Sequence, residues 1–68
     1  MNNLLTLSDQ VFTVTVEYTD QAPETSEFNE YNNAVTHARN ELKWENTLNA
    51  NIVNDLGILL FSETGSFH

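Results

Sequence analysis

Phe12, Val14, Val16 and Tyr18 alternate with Thr13, Thr15, Glu17 and Thr19, a strict period of two across eight β-favouring residues. Such alternation suits a strand with one face on a core and the other in water, so the rest of the chain has to cover the apolar face. The cover comes where the period changes. Tyr31, Ala34, Val35, Ala38 and Leu42 fall on one face of a helix. Asn29 suits the N-cap, Glu30 complements the positive end of the dipole, and Arg39 and Lys43 lie toward the other end. This spacing predicts a helix over 30–45.

The connecting segments complete the order. Asp20-Gln21-Ala22-Pro23 breaks the first strand, because Pro23 cannot donate to a ladder and pushes Ala22 out of the helical region. Thr25 to Phe28 reads as a short second strand, polar enough for a sheet edge. The Asn46, Asn49, Asn51 cluster ends the helix, and Leu48, Ala50 and Ile52, alternating with asparagines and Val53, predict a third strand. Asn54-Asp55-Leu56-Gly57 is then a hairpin loop, and Ile58 to Ser62 a fourth strand. Leu4 to Leu7 either extends the first strand or pairs with it, turned back at Ser8-Asp9-Gln10, and residues 64–68 are expected to fray.

The expectation is a single small acidic α+β domain over 1–68. Its order is ββαββ, a mostly antiparallel four-stranded sheet with one helix packed on one face. Phe12, Val14, Val16, Tyr31, Val35, Ala38, Leu42, Ile52, Ile58 and Leu60 form the expected core. The fourth strand then carries an anomaly: if Ile58 and Leu60 point to the helix, Leu59 and Phe61 point away from it. Either Leu4-Leu5-Leu7 or another chain has to cover them, which makes Leu59 and Phe61 the candidate self-association residues of a homodimer.

Composition narrows the function. Sixty-eight residues leave little room for a catalytic cleft beside a core. The absence of cysteine removes disulfides, thiolate metal sites and thiol nucleophiles, and points to a reducing cytoplasm. No apolar run is long enough for a signal-peptide core or a membrane span. Ten acidic residues against two basic ones give a net charge of −8, which repels nucleic acid and anionic lipid alike.

No motif supplies chemistry. The two glycines, Gly57 and Gly65, cannot build a phosphate loop, and Ser8, Ser26, Ser62 and Ser66 sit in no nucleophile elbow. His37 and Glu41 lie one helical turn apart, yet a metal needs three or four ligands, so a solvated helix face is expected and no metal or cofactor. Asp55 stands in a plain turn, since the other oxygen positions of a calcium loop are missing. The chain is read as non-enzymatic.

What remains is binding. Trp44 falls off the apolar stripe, either as a lid at the core margin or as an exposed aromatic anchor, the residue type most enriched among interface hot spots. Glu17, Glu24, Glu27 and Glu30 are the candidate acidic contacts for a larger protein with a basic surface. Collected with Asp20 along the first hairpin and the helix start, they would approximate a strand of phosphates. In size, acidity and lack of a catalytic signature the chain is similar to short accessory proteins that bacteriophages make to bind and inhibit a host factor, some of them acidic nucleic-acid mimics. That resemblance implies an inhibitor or modulator and carries over no site residue. The rival expectation is a structural or self-assembling subunit.

Overall fold

The computed structural model describes residues 10–65. The period-two segment forms β1 (Phe12–Tyr18), and the chain turns through residues 19–23 into β2 (Glu24–Phe28), antiparallel to it with Val14 opposite Ser26. A helix α1 (Tyr31–Glu41) follows, then β3 (Thr47–Val53) and β4 (Leu59–Thr64). β3 runs antiparallel to β1 on the side away from β2, and β4 pairs antiparallel with β3, giving the order β2-β1-β3-β4. Two strands antiparallel to the same β1 are parallel to each other. The path from β2 through α1 to β3 is therefore a crossover that spans β1, the connection parallel strands require. The result is an α+β domain of ββαββ order with an all-antiparallel sheet and one helix.

α1 packs across β1, β3 and β2. Val14, Val16, Ala50 and Ile52 from the sheet meet Ala34 and Ala38 from the helix, all six buried, with Phe12, Tyr18, Phe28, Val35, Leu42 and Phe61 around them. Alanines on both sides of this contact let the helix lie close to the sheet. The expected stripe on α1 holds except at its first residue: Tyr31 is exposed, and its ring meets Phe12 edge-on at 5.7 Å.

The helix is shorter than the spacing of residues 30–45 predicts. Leu42 is its C-cap and donates to Ala38 O (3.0 Å), Lys43 N–H donates to Asn40 O (3.3 Å), and Trp44 N–H donates to Glu41 O (3.1 Å) as the chain turns toward β3. The hydroxyl of buried Thr47 closes the turn by donating to Glu41 O at 2.6 Å. At the other end Glu30, not Asn29, is the N-cap, without a side-chain cap bond. Asn29 instead donates from Nδ2 to Gln10 O (3.3 Å), tying the helix entrance to the chain ahead of β1.

β4 departs most from expectation. Ile58 and Leu60, expected in the core, are exposed, and Phe61, expected to point away, packs against it. The cause is a bulge. Ile52 pairs with Phe61 but Val53 pairs with Leu59, so Leu60 is an extra residue and the alternation reverses across it. A second bulge sits where Glu17 pairs with Asn49 but Tyr18 with Thr47, leaving Leu48 unpaired and exposed. The sheet face away from the helix consequently needs little cover: Thr13, Thr15, Thr25, Asn49, Asn51, Ser62 and Thr64 line it, with Val53 and Leu59 at one end.

The hairpin loop forms as expected. Asn54 Oδ1 accepts from the N–H groups of Leu56 and Ile58 (2.9 Å each), and Gly57 takes a φ of +83° that side chains disfavour. The expected fraying from residue 64 does not begin there, because Thr64 ends β4 and buried Gly65 donates to Leu48 O at 2.7 Å. Leu4 to Leu7 and the turn at Ser8 and Asp9 lie outside the described residues.

Candidate functional site

The C-terminal end of α1, the end of β1 and the start of β2 meet at one end of the sheet. Tyr18, Gln21, Glu24, Glu41, Trp44 and Asn46 line a shallow open cleft there, and a second depression beside it is lined by Lys43, Trp44, Glu45 and Asn46. Trp44 belongs to both. It is 62% exposed, so it does not close over the core as a lid; the turn that ends α1 three residues earlier than its own position carries the indole out into solvent.

Tyr18 organises the carboxylates. Its hydroxyl lies 2.8 Å from Glu41 Oε1 and 3.4 Å from Glu24 Oε1, so it donates chiefly to Glu41. Gln21 Nε2 donates to the other oxygen of Glu24 at 3.5 Å. The loop carrying Gln21 is strapped to the turn carrying Trp44, since Thr19 N–H donates to Asn46 O (2.8 Å) and Asn46 Nδ2 donates to Asp20 Oδ1 (3.0 Å). Two carboxylates, a phenol and an exposed indole are thus held together at the negative end of a helix dipole, which adds to their field.

Burial, the hydrogen bond to Glu41 and the negative charges of Glu41 and Glu24 push the Tyr18 hydroxyl above the usual tyrosine range. Raised in the folded state, it contributes stability that is fully present below the unfolded value near ~10 and lost as pH rises beyond it. Urea unfolding compared at about pH 8 and about pH 11 should show the wild-type chain losing more stability than Tyr18→Phe. Equal losses would mean the phenol is free of the carboxylates.

The other expected contacts are dispersed. Glu17 and Glu27 lie on the sheet face away from the helix; Glu17 Oε1 accepts from Asn49 Nδ2 at 3.4 Å, and Glu27 is opposite Thr13, four residues along β1 from Glu17. Glu30 is at the far end of β2, at the start of α1. Of the five partner residues read from the sequence, the fold brings together Glu24 and Trp44. Glu41 and Tyr18 complete the cleft and were legible only as a helix-face acid and a strand residue, because what joins them is a contact across twenty-three positions.

Among the described residues no three of His, Asp and Glu converge as metal ligands. His37 and Glu41 do not act as a pair, since His37 lies against the Phe28 ring at 5.2 Å while Glu41 accepts from Tyr18. No helix among the described residues is long and apolar enough to cross a membrane. Comparison with protein-family models found no match, and searches of curated proteins and of solved structures found none either.

Proposed function

We propose that this chain is a non-enzymatic binding module that modulates a larger protein by holding one of its basic segments at the Trp44 cleft. The observation that carries the reading is the presence, in one cleft, of a 62% exposed indole and the carboxylates of Glu24 and Glu41. A guanidinium or ammonium can stack on an indole face while its N–H groups reach a carboxylate, and arginine, planar and forked, meets both demands. The net charge of −8 steers a basic partner toward the molecule, and the cleft decides where it docks.

A row of phosphate-like charges is the less favoured mode of contact. Glu17 and Glu27 are separated by four strand residues, ~13 Å, whereas one DNA strand presents a charge every ~3.4 Å. Glu24 and Glu30 stand on other parts of the surface. The reading therefore rests on one local cleft and not on mimicry of a polyanion.

Titration of the intact chain with an arginine-rich peptide, followed by Trp44 emission, tests it directly, since Trp44 is the one tryptophan. The emission should change saturably, and raising salt from about 0.05 to about 0.5 M should weaken binding and slow association. An emission insensitive to a peptide that binds would move the contact elsewhere.

A further inference from the structure

The two edges of the sheet are built differently. β2 is five residues long and carries Glu24 and Glu27, the charged edge that discourages strand pairing. β4 is six residues long, begins Leu59-Leu60-Phe61, and carries its one charge at Glu63. Leu59 is 57% exposed and Ile58 53%, with Leu56 and Leu60 exposed beside them. α1 packs chiefly on β1, β3 and β2; it reaches β4 through Tyr31, whose hydroxyl lies 3.5 Å from Leu60 O, and leaves the outer apolar side chains of this strand uncovered.

Charge is distributed the same way. From Thr47 to Ser62 the only ionisable side chain is Asp55, in a chain with ten acidic residues. Among the described residues, a second copy, repelled by most of the surface, meets little repulsion at this hairpin. We propose that β4 is the interface of a homodimer, in which two copies pair β4 to β4 in antiparallel fashion about a two-fold axis.

Such pairing joins the sheets into eight strands, satisfies the outward backbone groups of both edges and brings the Ile58, Leu59 and Leu60 side chains of the two copies together. Because the pairing is antiparallel and Glu63 lies near one end of β4, the two Glu63 carboxylates are held apart. A basic partner strand would gain no charge complementarity from so neutral an edge, which is why a second copy is the better occupant. The contact is small, so the dimer should be a dissociable one, with a constant on the order of ten micromolar.

Sedimentation velocity of the full chain from about 5 to about 500 µM, at physiological salt, should show a shift from 7.7 kDa to twice that mass. Over the same range the amides of β4 should gain protection from hydrogen exchange while those of β2 do not. Leu59→Lys and Leu60→Lys should raise the dissociation constant at least tenfold with an unchanged thermal melt. A chain monomeric throughout, with β4 exchange independent of concentration, overturns the proposal. So does a monomer that dimerises only when Leu4, Leu5 and Leu7 are replaced by Ser, because residues 1–9 would then be the occupant. A dimer that leaves β4 exchange unchanged, or that persists undiminished in folded lysine variants, places the interface elsewhere.

Discussion

Ile52→Ala is expected to abolish the cooperative thermal transition. Ile52 has no exposed surface, lies on an interior strand between Val14 of β1 and Phe61 of β4, and is among the largest fully buried side chains of the described residues. Truncating such an isoleucine removes buried methyl groups and leaves a cavity between sheet and helix, at a cost of ~2 to 5 kcal/mol. A domain of this size rarely has more than ~3 to 5 kcal/mol to lose. Ile58→Ala makes the same chemical change at a side chain 53% exposed in the hairpin and should shift stability by less than ~1 kcal/mol. Circular dichroism melts of the two variants distinguish them. If Ile52→Ala melts like the wild type, or Ile58→Ala is the more damaging, the assignment of the core across the β3–β4 bulge is wrong.

The contrast between those two isoleucines also marks how far the sequence could be read. β1 and α1 were legible because each carries a long uninterrupted period, and long periods survive small errors at their ends. Pro23 and Gly57 marked their turns for backbone reasons that hold in any context. The inward and outward faces of β4 were not legible, since Ile58-Leu59-Leu60-Phe61 is apolar at every position and offers no alternation to follow. A single bulge at Leu60 then decides which residue faces the helix, and a bulge is set by pairing with β3 and by the hairpin geometry, both nonlocal.

The end of α1 was hidden for a related reason. Periodicity and charge favour helix as far as residue 45, but Thr47 has to enter the sheet opposite Tyr18, and its hydroxyl takes the Glu41 carbonyl that a longer helix would use. That tertiary demand exposes Trp44 and swings it beside Glu24. The candidate site is thus a consequence of where the helix stops. Residues acidic in sequence could be counted beforehand, whereas which of them share a cleft required the strand register.

Charge reversal at two glutamates separates a local site from a diffuse field. Glu24→Lys and Glu27→Lys each change net charge by the same amount, on the same strand, three residues apart. Glu24 lines the cleft with Trp44, whereas Glu27 is on the face of the sheet away from the helix, ~10 Å along the strand. At physiological salt the Debye length is ~8 Å, so a charge at residue 27 acts on a cation in the cleft only through a screened field. Glu24→Lys replaces the carboxylate proposed to contact the guest with an ammonium that would repel it and compete for the indole. Binding of the arginine-rich peptide should therefore weaken at least about tenfold in Glu24→Lys, mostly through faster dissociation. In Glu27→Lys it should weaken by less than about threefold, mostly through slower association. Equal losses in the two variants would assign binding to overall charge, leaving Trp44 a bystander; a larger loss in Glu27→Lys would move the contact to the threonine- and asparagine-lined face of the sheet.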